Sequence, residues 1–326
     1  VSSGSASGAY ADLEPVELSL ADAAAVGAAG ETFDRLFAEK VEEITGGKLT
    51  VYLYQNGELG SDMDILSQMQ DGHLDLVGSQ IAAVVNFVPE MAIFDLPMVF
   101  AQYDGETIDQ VLNGDSQTHA AMSAAYETAG LELLGIQQYA TYRLTTANRD
   151  LKTLADFKGL QIRTMENPIH MAAFQVMGAD PTPMAFGELF TALQQGTIDA
   201  QENPLSVITS SRFNEVQDYL SMTEHVYSAA PLMVSKAAYD ALPDDLKAIV
   251  DEAGVEACQW EREYLAEVEV QWLDELETAG TQINYPDKAP FVDAMSSVYN
   301  QFVGDGDDMV STELLEQVRE IISQVE

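Results

Sequence analysis

The chain has 326 residues, 47% of them hydrophobic, and carries 54 acids against 14 bases, a formal net charge of −40. That length exceeds what one small core comfortably serves, so two lobes are expected. The charge excludes nucleic acid and anionic membrane surfaces as partners, since a polyanion meets a repulsive field, and it suits a saline habitat, where salt screens self-repulsion.

Residues 1–9, with VSSGSASG at their start, read as a disordered tail or linker outside the fold, either left after removal of a signal peptide or added to the chain. The alternation in VELSL predicts a strand over residues 16–20. A helix follows over about 30–45, with Phe33, Leu36, Phe37, Val41 and Ile44 on one stripe and Gly46-Gly47 as its stop. A strand over 49–54 ends in the turn Asn56-Gly57; Ser61 and Asp64 then open the next helix as a capping box, Gly72 closes it, and residues 74–77 form a third strand. Strand–helix alternation at this spacing is the pattern of a parallel sheet built from βαβ units. Residues 81–100 are apolar but broken by Asn86, Pro89, Glu90, Asp95 and Pro97, and read as core, not as a membrane span.

The rhythm restarts near residue 140. Strands are predicted over 131–136, 143–146 and 160–163, then helices over 168–176 and 186–195, ending at Gly178 and Gly196, and a strand over 198–201. The last third is helical: 237–253, a long amphipathic segment over 244–279, then 290–302 and 311–325. Cys258, the only cysteine, falls in the long segment and reads as a small buried hydrophobe, so no intramolecular disulfide forms. The four histidines show no metal-ligand spacing, and His225 reads as a structural hydrogen-bonding residue. Residues 305–316 mimic a calcium loop but lack its turn glycine and fifth-position acid, which leaves an acidic helix start. No nucleophile elbow, P-loop or dinucleotide fingerprint is present, so neither an enzyme nor a cofactor-binding protein is expected.

The scarce bases are unevenly placed. None falls in residues 49–142, and then Arg143, Arg149, Lys152, Lys158 and Arg163 come close together. In so acidic a chain an anion binds only where local positive charge overcomes the global field. Arg163 ends the strand GLQIR, and in an open α/β sheet ligands bind beyond the carboxyl ends of strands. A guanidinium there offers a planar fork to a carboxylate, against the alternative of an ion pair with a nearby acid.

Residues 151–208 (LKTLADFKGLQIRTMENPIHMAAFQVMGADPTPMAFGELFTALQQGTIDAQENPLSVI) closely resemble the central signature of TRAP-transporter solute-binding proteins, the dicarboxylate-binding-protein family. The stretches YLYQNGELGSDMDILSQMQDGHLDL, NFVPEMAIFDLPMVF and TEHVYSAAPLMVSK follow in family order, so the resemblance covers about residues 16–300. It implies a two-lobed α/β periplasmic-binding-protein fold of type II-like organisation. Its discontinuous lobes are joined by crossing segments and a long bridging helix, at about 10–140 plus 228–268 and 141–227 plus 269–326. It also implies a periplasmic monomer that captures a small carboxylate and delivers it to sodium-driven TRAP membrane subunits, with sensing as an alternative use of the same fold.

Carried over residue by residue, the resemblance makes Arg163 the two-toothed partner of the ligand carboxylate and Arg143 a second arginine beside it. It makes Asn203 an amide donor, Phe186 an aromatic wall and Met165 a lining residue. Asp62 and Gln80 are candidates for the far side of the ligand, and so is Asp22, in the loop ADAAAVGAAG, where the sequence departs from the commonest relatives. If Asp22 meets the ligand, a cationic end like that of ectoine is implied; if it points to solvent, a sugar acid, hydroxy acid or oxo acid is.

Overall fold

The computed structural model of the chain describes residues 10, 12–100, 103, 107, 108, 111, 117–306 and 308–325; the expected tail at 1–9 lies outside the described residues. β1 (Val16–Asp22), the helix Ala29–Thr45, β2 (Leu49–Tyr54), the helix Asp62–Gln70 and β3 (Leu76–Gly78) come first. The short helices Ile81–Val84 and Ala92–Asp95 and the helix Gln117–Thr128 lead to β4 (Leu131–Ala147). β5 (Gln161–Thr164), the helix Pro168–Val176, β6 (Asp180–Pro183), the helix Phe186–Gln194, β7 (Ala200–Pro204) and the helix Leu205–Ser210 form the second α/β run. β8 (Tyr219–Ser235), the helix Lys236–Ala241, the long helix Asp244–Thr278 and β9 (Gln282–Asn284) follow, and the helices Ala289–Phe302 and Thr312–Val325 close the chain.

The predicted capping box is visible, and a second cap, not predicted from the sequence, is also present. Ser61 and Asp64 form the reciprocal capping box of Asp62–Gln70. The side chain of Asn167 accepts from the amides of Ile169 and His170, which caps the helix Pro168–Val176 where proline already occupies the first turn. Two expectations change: the helix predicted over 237–253 is broken at Leu242-Pro243 into Lys236–Ala241 and the start of Asp244–Thr278, and the strands predicted at 131–136 and 143–146 are a single strand, β4, of 17 residues. β8, also of 17 residues, is its antiparallel partner.

These two strands carry the architecture. The nine-stranded sheet runs β2-β1-β3-β8-β4-β7-β5-β6, with β9 beside β8. β1 pairs in parallel with β2 and β3, and β5 with β6 and β7, so two parallel blocks share the antiparallel pair β4–β8 as a common spine. The β4–β8 register breaks between Gln138 and Tyr142, where the chain crosses from one block to the other.

The first part of β4 has no strand on its outer edge, because β7 pairs only with Arg143–Ala147. Unpaired buried amides are costly, and the long helix supplies the acceptors. Glu261 accepts from the Gln138 amide at 2.9 Å, and Glu269 from the Thr141 amide at 2.5 Å. At 35 residues this helix extends about 50 Å. Its Leu246, Ile249, Val250 and Cys258 pack with Phe33, Phe37 and Leu20 around the first block, and its Leu276 packs with Leu189, Leu193 and Phe213 around the second. Gly254 and Gly135 permit the close approach: a Cβ on Gly254 would stand 2.8 Å from the Leu134 carbonyl oxygen, and one on Gly135 would stand 2.7 Å from Cys258 Sγ.

A further core joins Ile65, Phe94 and Tyr126 to Met165, Ile169, Val318 and Ile322, so the last helix rests against residues of the first α/β run. No helix among the described residues is long and apolar enough to cross a membrane.

Candidate functional site

The parallel strands of both blocks direct their carboxyl ends to one place. β1 ends at Asp22, Ser79-Gln80 follow β3, Arg163 lies near the end of β5, Asn203 near the end of β7, and β6 runs on through Met184 to Phe186. There a narrow cavity is lined by Asp22, Ala23, Ala24, Asp62, Gln80, Tyr139, Arg163, Met165, Phe186, Asn203 and Val207. Of the expected site residues, Arg163, Asn203, Phe186, Met165, Gln80, Asp62 and Asp22 line it and Arg143 does not.

Arg163 is 1% exposed. Its Nε and Nη2 donate to the Met184 carbonyl at 2.9 and 2.6 Å, which fixes the plane of the guanidinium. Nη1 is buried and donates to no acceptor among the described residues. Burial pulls the group down to about 10, partly offset by Glu202 and Asp62, so it remains a cation at neutral pH. An immobilised cation with an unused donor in a cavity wall is the complement of an anionic oxygen. The expected two-toothed fork is therefore half committed, since one edge holds Met184.

Arg143 lies behind the wall. Its Nε meets Glu202 Oε2 at 2.5 Å, its Nη2 meets Glu202 Oε1 at 2.8 Å, and its Nη1 donates to Gln80 Oε1. The Nη2 group also reaches Asn203 Oδ1 at 3.4 Å. Glu202 is wholly buried. Burial alone would raise its carboxyl, but Arg143, His170 and His225 outweigh that and hold it well below the ordinary range. His225 Nε2 stands 3.3 Å from Glu202 Oε2 and Nδ1 2.9 Å from Thr223 Oγ1, the structural role expected of it. The arginine thus orients two cavity residues, Gln80 and Asn203. Asn203 also donates from Nδ2 to Gln201 Oε1 at 2.6 Å.

The opposite wall is acidic. Asp22 is 2% exposed; Oδ1 accepts from the Ala24 amide at 2.5 Å and Oδ2 from the Tyr139 hydroxyl at 2.9 Å. Burial pushes its carboxyl up to about 6 against these donors, which leaves it mostly ionised at neutral pH. Asp62 accepts from the Ser79 hydroxyl at 2.7 Å and is raised chiefly by burial. Asp22 therefore does not point to solvent. Tyr139, at the middle of β4, is a lining residue that sequence reasoning missed. Its ring lies against Gly30, where a Cβ would come within 2.1 Å of Cζ, and no local pattern announces so distant a contact. Phe186 meets Phe213 edge to face with ring centres 6.3 Å apart.

A cation on one wall, two carboxylates on the other and a neutral rim of amide and aromatic groups, held between two α/β blocks on a shared spine, define a binding cleft. Residues 25–305 match the family of bacterial extracellular solute-binding proteins, family 7. The chain is 33% identical over 273 residues to the 2,3-diketo-L-gulonate-binding periplasmic protein YiaO of Escherichia coli, covering 82% of this chain and 81% of that one. Among solved structures it resembles a TRAP periplasmic solute-binding protein from Bordetella with density assigned to pantoate, with TM-score 0.86 and 37% identity over 94% of this chain and 99% of the other. A second, from Polaromonas and bound to D-erythronate, has TM-score 0.86 and 31% identity over 94% and 98%. The chain belongs to the family-7 extracellular solute-binding proteins, two-lobed α/β receptors of TRAP-type transport, a family of binding proteins rather than enzymes.

Proposed function

We propose that the chain is the periplasmic receptor of a TRAP-type transporter for a hydroxylated monocarboxylate, a sugar acid or a short hydroxy or oxo acid. The observation that carries this is the polarity of the cavity: Arg163 Nη1 offers a donor on one wall while Asp22 and Asp62 present acceptors on the other. The ligand carboxylate pairs with Arg163 and Asn203, and its hydroxyls donate to Asp22 and Asp62. A second carboxylate at that end would meet like charge, so dicarboxylates are selected against. The ligands named for the relatives, diketogulonate, pantoate and erythronate, fit that pattern.

Arg143 serves the site by fixing Gln80 and Asn203. The lobes divide at the register break, with residues 10–140 plus 228–268 on one side and 141–227 plus 269–326 on the other; the helix Thr312–Val325 bridges back onto the first. Closure follows because a ligand touching both walls favours the state in which both reach it. The receptor acts as a monomer, catalyses nothing and hands its ligand to membrane subunits. Asp22 in the cavity wall is the arrangement that the sequence reading tied to a cationic ligand end, and it supports a second reading, a zwitterion with that end on Asp22. The first is preferred because a ligand hydroxyl also satisfies the carboxylate as a donor.

A thermal-shift panel on protein stripped of ligand by unfolding and refolding tests these readings. Aldonates, uronates and hydroxy acids are expected to raise Tm by several degrees at about a hundred times Kd, with C4 dicarboxylates silent. A response to ectoine-like zwitterions alone supports the second reading, and silence from every carboxylate contradicts both.

A further inference from the structure

Behind Asp22 lies a residue that the site as described does not use. Asp34, on the helix Ala29–Thr45, is fully buried, and neither of its carboxyl oxygens receives a hydrogen bond from a donor among the described residues. Its place is fixed by Gly78. Asp22 and Gly78 are Cα partners across β1 and β3, and a Cβ on Gly78 would stand 2.8 Å from Asp34 Oδ1 and 2.9 Å from Oδ2. The Asp34 carboxyl therefore fills the side-chain space beside Asp22.

The charged and titratable groups facing it are Asp22 from β1, Glu31 from its own helix, Glu261 from the long helix and Tyr139 from β4, with Asp62 facing Asp22 in turn. Cations serve the outer acids of this group: Arg35 stands 3.9 Å from Glu31, Arg262 acts on Glu261, and Arg163 and Arg143 act on Asp62. Asp22 and Asp34, two fully buried carboxyls side by side, cannot readily both ionise. Asp34 is the member with no donor, so it is the member that must supply one.

We propose that Asp34 is a positioning residue, a neutral carboxylic acid that donates its own proton to Asp22 and so keeps Asp22 ionised and aimed into the cleft. The acidic wall then carries the charge of Asp22 with its partner neutral, and three donors (the Ala24 amide, the Tyr139 hydroxyl and the Asp34 acid) set the orientation of that carboxylate. Burial and the Asp22 charge hold the Asp34 carboxyl well above its ordinary range, in keeping with this. Asn at position 34 supplies the same donor without needing a proton; Ala supplies none.

The first arm of the test uses ligand-free protein, so its outcome does not depend on the proposed ligand class. An acid whose proton is held more tightly in the folded state loses stability as pH rises from its unfolded pKa towards its folded one. Asp34→Asn escapes that loss. Its Tm is expected to match wild type near pH 4 and to exceed it at pH 8 by about 2 °C for each tenfold in proton affinity. A parallel profile, or an Asn variant less stable at pH 8, overturns the proposal. The second arm rests on the proposed carboxylate site and uses D-erythronate at pH 7. Asp34→Asn is expected to bind within about threefold of wild type and Asp34→Ala about tenfold more weakly; equal binding by the two variants overturns the donor role. Failure of wild type to bind D-erythronate counts against the ligand class and leaves the pH profile to decide on Asp34.

Discussion

Arg143 and Glu202 form a two-pronged ion pair sealed from solvent, with Nε to Oε2 at 2.5 Å and Nη2 to Oε1 at 2.8 Å, one residue layer behind the cavity. A buried pair of this kind adds little net stability over apolar residues, yet loss of either partner strands the other as an unpaired buried charge. Its place between Gln80 and Asn203 gives it a second task, orienting groups on both walls of the cleft. Glu202→Gln is therefore expected to lower stability by about 3–5 kcal/mol, a Tm fall of about 4–7 °C, and to weaken ligand binding. Replacing Arg143 and Glu202 together by methionine recovers part of the stability but not the binding. Denaturant titration of the single and double variants checks this.

His170 links this network to the short helix Ala92–Asp95. Its Nε2 meets Asp95 Oδ1 at 3.1 Å, while Nδ1 stands 3.7 Å from Glu202 Oε1, beyond hydrogen-bonding reach, so that contact is electrostatic. Burial alone would lower the imidazole, but Asp95 and Glu202 outweigh it and raise it to about 9. A base with a raised folded pKa contributes stability that is whole below about pH 6.5 and lost as pH climbs through about 9. The contribution is on the order of 3 kcal/mol. Calorimetry of His170→Gln against wild type is expected to show a Tm gap widest near pH 6 and closing towards pH 10. A gap independent of pH would point to shape rather than charge.

Gly254 sets helix propensity against packing. Alanine is favoured over glycine inside a helix by about 1 kcal/mol. At this position, however, the added methyl meets the Leu134 carbonyl oxygen at 2.8 Å and drives the long helix off β4. Gly254→Ala is expected to destabilise by about 1–2 kcal/mol, measured by urea unfolding; a gain in stability would mean that the helix shifts freely along the sheet.

Elements with local signatures were legible in the sequence. The Ser61/Asp64 box marks one helix start, Gly46-Gly47 marks a helix end, and β2 shows its predicted bounds. What the sequence hid depends on distant partners. The middle of β4 looks like a break because Gln137, Gln138 and Thr141 are polar, yet Glu261 and Glu269 on a helix more than a hundred residues away satisfy its edge. β8 contains Pro231 and is buried along most of its length, so it shows neither alternation nor a clean run. The charge gap ending at Arg143 and the strand ending at Arg163 led to the right region, but the sequence reading set both arginines on the ligand carboxylate. Only the position of Glu202, 59 residues on, separates the one bound within the protein from the one with a free donor. Asp34 shares the buried stripe of Phe33, Phe37 and Val41, which an acid among charged neighbours conceals.

The surface charge carries its own expectation. With 54 acids and 14 bases, self-repulsion opposes the compact state in dilute buffer, and salt screens it. Tm is expected to rise between about 0.05 and 1 M sodium chloride, over which the screening length falls from about 14 to about 3 Å. A Tm indifferent to salt would show that the acids are spaced well enough not to interact.

The central claim, that Arg163 Nη1 receives the ligand carboxylate, is tested most directly by calorimetric titration of wild type and Arg163→Ala with the tightest-binding acid of the panel, alongside the matching alcohol that lacks its carboxyl group. The account predicts tight binding of the acid by wild type, a loss of about a hundredfold or more in the variant, and no measurable binding of the alcohol by either. Wild-type-like affinity in Arg163→Ala, or equal affinity for acid and alcohol, would contradict it.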